Sequence, residues 1–133
     1  MHEILVAGAG VIGREIAALL AAADEYRVTI ADGADAALQS SWQSSWADGV
    51  ATLRCDLSDR AALDRALIGK HAVIAATPYD VTPHIARAAV AAGVHYFDLT
   101  EDEDASRLLR DLGASARGVL APQCGLAPGF VSI

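Results

Sequence analysis

Apolar and polar positions follow two alternating periods along this chain, which predicts strands and helices in regular succession. Six short apolar runs with the character of buried strands lie at 4–7, 26–31, 50–55, 71–76, 94–99 and 118–122. Between them, apolar residues recur three and four positions apart, as on the buried face of a helix. Strands that alternate with helices are expected to be parallel and joined by right-handed crossovers. The predicted fold is therefore α/β, a doubly wound parallel sheet of about six strands with helices on both faces.

Residues that favour helix N-caps stand before the last three helical segments: Ser58, Thr82 and Thr100. Thr100 also precedes Glu103 by three residues, the spacing of a capping box. The least regular stretch, 33–49, contains Trp42 and Trp46, which are four residues apart and would share a helix face. These two side chains are expected either to pack against the edge of the sheet or to contact another domain or subunit.

Three glycines spaced G-x-G-x-x-G follow the first strand and open the first helix. Gly8 is expected to form the tight bend, Gly10 to let the backbone approach a pyrophosphate, and Gly13 to allow close packing of helix on strand. The free N–H groups and positive dipole end of the helix would face the phosphates. A plain strand-to-helix turn is the alternative. The predicted dinucleotide-binding loop consists of Gly8, Ala9, Gly10, Val11, Ile12 and Gly13.

An acidic residue, Asp32, ends the second strand about 20 residues after the glycines, where the residue that binds the adenosine ribose is expected. Its carboxylate would accept hydrogen bonds from both ribose hydroxyls and would repel a 2′-phosphate. NAD is therefore favoured over NADP. Arg54, at the end of the next strand, keeps NADP as an alternative. A second role for Asp32 is that of a cap on the helix that follows.

The loops after the third and fourth strands belong to the same candidate site, because ligands bind at the carboxyl edge of open α/β sheets. Asp56 is expected either beside the adenine pocket or as a cap of the next helix. Ala76, Thr77 and Pro78 form a loop of small residues where the second ribose and the nicotinamide would pass. We therefore add these four residues to the candidate cofactor site.

The fifth strand continues into the run "HYFDLTED", which is rich in polar side chains. Strand alternation places Tyr96 and Asp98 on one face and His95 and Phe97 on the other. Asp98 is the better candidate for facing a substrate. The sequence shows no nucleophile–base pair, and its cysteines and histidines lack the spacing of a metal site, so no metal is expected.

Composition and charge narrow the class of protein. The length of 133 residues is that of one domain, and 53% hydrophobic residues indicate a packed core. The net charge of −7 argues against nucleic acid and anionic membrane surfaces as partners. The first residues do not show the basic region and apolar core of a signal peptide, and no apolar run approaches the about 20 residues of a membrane span, so a cytoplasmic protein is expected. Cys55 and Cys124 are expected to be buried, reduced thiols.

Four runs carry a resemblance to a known family: "VAGAGVIGREIAALLA", "CDLSDRAALDRAL", "VIAATPYDVTPHIARAAVAAGVHYFDLTED" and "APQCGLAPGFVSI". They resemble the N-terminal NAD(P)-binding Rossmann domain of the saccharopine dehydrogenase-like family. That family includes saccharopine reductases, lysine dehydrogenases and carboxynorspermidine synthases. The resemblance is most specific in "AAGVHYFDLTED" and "CGLAPGF", and it implies a sheet with the strand order 3-2-1-4-5-6.

The resemblance also implies a function, the cofactor half of an NAD(P)-dependent oxidoreductase acting on CH–NH donors. Hydride would move at a C–N bond of an amino acid or of its secondary-amine adduct. Asp98, Cys124 and Gly125 would line the active site. Residues 1–122 would form the dinucleotide-binding domain and 123–133 the start of a crossover into a catalytic domain absent from this chain. A homodimer would form through that domain, and the chain alone would be inactive.

Two other functions are compatible with the same fold. A nucleotide-sensing regulatory domain would use the glycines and Asp32 without catalysis, and a degenerate domain kept for assembly would bind no cofactor. The first of these would have no use for the "HYFDLTED" and "CGLAPG" segments. The oxidoreductase is therefore preferred.

Overall fold

Strands and helices alternate through the chain as the hydrophobic periods predict. The computed structural model describes residues 1–39 and 48–125. The elements are β1 His2–Ala7, α1 Val11–Ala21, β2 Tyr26–Asp32, α2 Asp35–Leu38, β3 Val50–Arg54, α3 Arg60–Ala66, β4 Ala72–Ala75, α4 Thr82–Ala92, β5 His95–Asp98, α5 Glu103–Gly113 and β6 Leu120–Ala121. In these residues no helix is both long and apolar enough to cross a membrane. Trp42, Trp46 and residues 126–133 lie outside the described part.

The six strands form one parallel sheet with the order β3-β2-β1-β4-β5-β6, as predicted. β1 lies at the centre, because the chain builds outward through β2 and β3 and then returns to the other side of β1 as β4. The loops that follow β1 and β4 therefore diverge at the carboxyl edge. This divergence is the position at which open α/β sheets bind ligands.

Alternate residues of the strands fill two hydrophobic layers, one on each face of the sheet. In β1, Leu5 and Ala7 pack in the layer that includes residues of α3, α4 and α5. Ile4 and Val6 pack in the layer that includes residues of α1 and α2. Burying one large aliphatic side chain contributes about 1.5–3 kcal/mol. The strand that leads into the glycine motif is therefore held from both faces.

Two helices begin at caps other than the predicted ones. Asp59, not Ser58, caps α3, and its carboxylate accepts two first-turn N–H groups at 3.3 and 3.2 Å. Asp102, not Thr100, caps α5 and accepts the N–H of Ala105 at 2.8 Å. The Thr100 hydroxyl instead accepts the N–H of Asp102 at 3.2 Å. Each predicted cap thus lies one or two residues too early.

The third predicted cap, Thr82, is the first residue of α4 and not its cap. Val81 occupies the N-cap position without a side-chain hydrogen bond, and Pro83 follows in the first turn. The Thr82 side chain is buried and its hydroxyl donates to the carbonyl oxygen of Pro78 at 3.2 Å. Gly93 ends the helix in the left-handed conformation, with φ of 72°. Thr82 therefore binds the preceding loop to the start of α4.

Candidate functional site

An open cleft of about 370 Å³ lies at the carboxyl edge of the sheet, between the loops that follow β1, β2, β3 and β4. Seven of the predicted cofactor residues line it: Gly8, Gly10, Asp32, Asp56, Ala76, Thr77 and Pro78. Four further lining residues were not among the predicted site residues: Gly33, Leu57, Ser58 and Val81. The loops chosen from the sequence are thus brought together in one cavity.

The three motif glycines meet different constraints. Gly8 has φ of 103°, and a Cβ there would overlap the carbonyl oxygen of Ala76. A Cβ on Gly13 would overlap the carbonyl oxygen of Gly8, so α1 packs against the turn only because Gly13 lacks a side chain. A Cβ on Gly10 would meet no atom within 4 Å. The space beside Gly10 is therefore open to a ligand.

Two oppositely charged side chains bind the backbone of Ala9, the residue between the first two glycines. The N–H of Ala9 donates to Oδ2 of Asp32 at 2.8 Å, and Nε of Arg14 donates to the carbonyl oxygen of Ala9 at 2.7 Å. Ala9 itself is fully buried. These bonds fix the direction of the loop backbone before any ligand is present. Arg14 was not among the predicted site residues, although its place directly after Gly13 puts it in the first turn of α1.

Helix α1 begins without a side-chain cap, because its N-cap residue is Gly10. The first N–H groups of a helix have no partner within the helix, and they carry the positive end of the helix dipole. Val11 and Ile12, in this first turn, are 73% and 56% exposed. The helix end therefore presents free donors to an anion, as phosphate-binding turns do.

The carboxylate of Asp32 keeps acceptor capacity for a ligand. Its Oδ1 accepts the N–H of Ala34 at 2.8 Å, and its Oδ2 accepts the N–H of Ala9. A carboxylate has about four acceptor positions, so about two remain. Ala34, not Asp32, is the N-cap of α2. Asp32 therefore does not cap α2, which was the alternative role that the sequence left open. It instead orders the turn before that helix.

Asp56 both accepts a hydrogen bond within its local turn and lines the cleft. Its Oδ1 accepts the N–H of Ser58 at 2.9 Å, and the residue lines the cleft after β3. Because Asp59 caps α3, Asp56 is not the cap of that helix. A place beside the adenine pocket stays a prediction.

Thr77 presents a defined hydrogen-bonding polarity to the cleft. Its Oγ1 lies 3.3 Å from Oγ1 of Thr82, whose own proton goes to the carbonyl oxygen of Pro78. A hydroxyl has one proton, so Thr77 donates to Thr82. Thr77 lines the cleft, and its hydroxyl oxygen then keeps lone pairs that can accept a hydrogen bond. A donor such as a ribose hydroxyl suits this position better than a phosphate oxygen.

At the ends of β5 and β6 the structure places Asp98 inside the protein. The residue is fully buried, and its carboxylate accepts the Tyr96 hydroxyl at 2.8 Å and the N–H groups of Gln123 and Thr100 at 2.9 and 3.1 Å. Burial, followed by the charge and hydrogen bond of Asp98, raises the pKa of Tyr96. The predicted shared face of Tyr96 and Asp98 is confirmed. The carboxylate, however, ties two loops together and has no solvent-facing oxygen.

Asp98 also positions the segment that contains Cys124 and Gly125. Its carbonyl oxygen accepts the N–H of Cys124 at 2.8 Å, and Gln123 between them has φ of 59°, a strained value for a residue with a side chain. Cys124 is exposed, so the expectation that both cysteines are buried is correct only for Cys55. Partial burial and then the Asp98 charge raise the pKa of the Cys124 thiol. Both effects disfavour the thiolate form of Cys124.

The described residues contain no cluster of three or more histidine, cysteine, aspartate or glutamate side chains that could hold a metal ion. A cofactor in the cleft would have to be held by glycine-loop donors, the Asp32 carboxylate and the Thr77 hydroxyl. These groups suit the phosphates and riboses of a dinucleotide. The parallel sheet and this cleft together define a domain of the Rossmann type.

More particularly, the chain belongs to the family described as the saccharopine dehydrogenase NADP-binding domain, which matches residues 4–118. The resemblance seen in the sequence is thereby confirmed. The family provides an oxidoreductase context and a nicotinamide dinucleotide as cofactor. Its description names NADP, so it does not support the preference for NAD drawn from Asp32.

Solved structures agree with this assignment. Saccharopine dehydrogenase (L-Glu forming) from Saccharomyces cerevisiae, in its apo form, is 25% identical with a TM-score of 0.84, and the match covers 98% of this chain and 29% of that one. Pen from Bacillus thuringiensis is 14% identical with a TM-score of 0.77, over 91% and 48% of the two chains. An NAD-binding protein from Listeria innocua is 21% identical with a TM-score of 0.68, over 91% and 34%. The last two show the fold alone. This chain spans less than half the length of each.

Proposed function

We propose that this chain is the cofactor-binding part of an NAD(P)-dependent oxidoreductase that transfers hydride at a C–N bond of an amino acid or its secondary-amine adduct. The observation that carries the proposal is the meeting of Gly10, the uncapped end of α1 and Asp32 in one cleft. Similarity to the yeast saccharopine dehydrogenase supports the reaction class. A nicotinamide held in the cleft would supply or accept the hydride.

Each part of the cleft has a role in this proposal. Gly10 and the first turn of α1 bind the pyrophosphate, and Asp32 accepts hydrogen bonds from the adenosine ribose. Asp56 lies toward the adenine. Thr77 accepts a hydrogen bond from the second ribose, while Ala76 and Pro78 leave room for the nicotinamide. Because Asp32 would repel a 2′-phosphate, we propose NAD as the preferred cofactor.

The substrate side of the proposal concerns the ends of β5 and β6. In this proposal Cys124 and Gly125 line this side of the active site, and the buried Asp98 is a positioning residue that acts through the backbone it holds. A second domain would complete the substrate pocket and form a homodimer. The general acid–base group would come from that domain, since Asp98 is buried and the raised pKa of Cys124 disfavours its thiolate.

Cofactor binding is tested by titrating the chain with NADH and NADPH, followed by nicotinamide fluorescence. Gly10→Val should weaken NADH binding by about tenfold or more, about 1.4 kcal/mol, because the side chain fills the pyrophosphate space. Gly113→Val is the matched control, since a Cβ on Gly113 also meets no atom within 4 Å and lies outside the cleft. Both variants should fold. Equal affinity in both, or no binding by the unmodified chain, would contradict the proposal.

A regulatory nucleotide-sensing domain is the second candidate, and the buried carboxylate of Asp98 favours it, because a sensor needs no free acid–base group. The two are separated with a protein in which this domain is joined to the proposed second domain, incubated with NAD and a panel of amino acids while the absorbance of the reduced nicotinamide is followed. An oxidoreductase that contains this domain reduces NAD with one of them. A sensor binds NAD and reduces none.

A further inference from the structure

An arginine stands on the strand next to the residue that is expected to select the cofactor. β2 and β3 are paired in register, with Asp32 opposite Arg54, so the two side chains project from neighbouring strands at the carboxyl edge. Residues 33–53 contain no lysine or arginine. Rossmann domains that accept NADP use a nearby arginine for the 2′-phosphate. Arg54 is the first basic residue after Asp32 that could do so.

The guanidinium of Arg54 is engaged by a second carboxylate. Its Nη1 lies 3.3 Å from Oδ2 of Asp35, the first residue of α2. The side chains of Arg54 and Asp35 are 71% and 55% exposed. Asp32, Arg54 and Asp35 thus place two negative charges and one positive charge beside one another where β2 and β3 end, next to the cleft that Asp32 lines. The net charge of the three side chains is negative and repels a phosphate, although an arginine that could bind a phosphate is present.

We infer that Asp35 is a second selectivity residue, which neutralises Arg54 and thereby keeps the site selective for a cofactor with a free 2′-hydroxyl. This inference rests on the proposed function. Asp35 acts in two ways, by repelling a 2′-phosphate directly and by occupying the guanidinium that would otherwise bind it. NAD has a hydroxyl in place of that phosphate and is insensitive to both effects.

The inference predicts the result of one substitution. Asp35→Asn should raise NADPH affinity by up to about 25-fold, since each of the two exposed charge effects is worth up to about a factor of 5. NADH affinity should change by less than about twofold. Asp104→Asn is the matched control, because Asp104 forms an equally long, exposed ion pair with Arg107 on α5. It alters the net charge identically but should leave the preference between NADH and NADPH unchanged.

Arg54→Gln separates the two effects of Asp35. In the Arg54→Gln background, Asp35→Asn should raise NADPH affinity less, by at most about fivefold, because no guanidinium is released. Equal shifts for NADH and NADPH, or equal effects of Asp35→Asn and Asp104→Asn, would overturn the inference while leaving dinucleotide binding intact. Absence of NADH binding by the unmodified chain would overturn the proposed function and this inference together. Thermal unfolding of each variant confirms that the fold is retained.

Discussion

Two aspartates that end strands of the same sheet illustrate how differently one residue type is used. Asp32 and Asp98 both accept N–H groups from nearby loops. Asp32 lines the cleft, whereas Asp98 is fully buried beneath the ends of β5 and β6. Strand alternation predicted that Asp98 and Tyr96 share a face. It could not tell that this face is covered, because alternation identifies residues on one side without showing what packs there.

The buried Tyr96 hydroxyl should make stability depend on pH in the alkaline range. Its raised pKa means that the folded protein holds the phenol proton after the unfolded chain, with a usual value of 10.0, has lost it. The unfolded state then binds fewer protons, so the free energy of unfolding falls as pH rises above 10.0. Tyr96→Phe should reduce this fall, measured by urea unfolding on both sides of that pH.

At neutral pH the same substitution should destabilise the protein. Tyr96→Phe removes a donor from the buried carboxylate of Asp98, at a cost of about 1–3 kcal/mol. Tyr79→Phe is the control, because Tyr79 is 69% exposed and should show neither effect. An unchanged free energy of unfolding in Tyr96→Phe at neutral pH would mean that the hydrogen bond to Asp98 makes no net contribution to stability.

At the scale of elements, the sequence predicted which segments form strands and helices, but it did not predict the residues at which the helices begin. In "CDLSDR" three residues suited to capping, Asp56, Ser58 and Asp59, stand within four positions. The structure uses Asp56 for the turn and Asp59 for the cap. Local propensity cannot choose between adjacent caps, because the choice depends on how the strand before them is placed in the sheet.

The contact between β1 and α1 depends on the absence of one side chain. Gly13→Ala would place a Cβ on the carbonyl oxygen of Gly8, and backbone must move to relieve the overlap. The free energy of unfolding should fall by about 3 kcal/mol or more, the upper part of the range for overpacking. Gly113→Ala is the control, because the added Cβ meets no atom within 4 Å. Equal stability of the two variants, measured by urea unfolding, would show that α1 can shift without cost.

For the whole molecule, the family resemblance implied the strand order, whereas the rules of connection gave only the doubly wound class of sheet. Alternating elements and right-handed crossovers favour a doubly wound sheet, and the glycine motif fixes β1 beside the cleft. The selectivity of that cleft did not follow as directly. Asp32 indicates NAD, the family description names NADP, and the pairing of Arg54 with Asp35 appears only once β2 and β3 are placed side by side.

The net charge of −7 should make cofactor preference depend on ionic strength. A 2′-phosphate adds about two negative charges at neutral pH, so NADPH meets more repulsion than NADH from the protein as a whole. Raising the salt concentration from about 0.01 M to about 1 M shortens the Debye length from about 30 Å to about 3 Å. NADPH affinity should therefore rise relative to NADH, and the ratio of their dissociation constants, measured by fluorescence titration, should narrow.

The opposite salt dependence would have a definite meaning. If NADPH affinity fell steeply as the salt concentration rises, contacts between the phosphate and cationic side chains would dominate binding, because such contacts release counterions when they form. Arg54 would then bind the 2′-phosphate despite Asp35, and the NADPH salt dependence of Arg54→Gln would be weak. If salt acts mainly by screening the acidic groups, the ratio of the NADPH and NADH dissociation constants should still narrow with salt in Arg54→Gln. In Asp35→Asn the ratio should narrow less. The sign of the salt effect thus separates selection by the two carboxylates from recognition by the arginine.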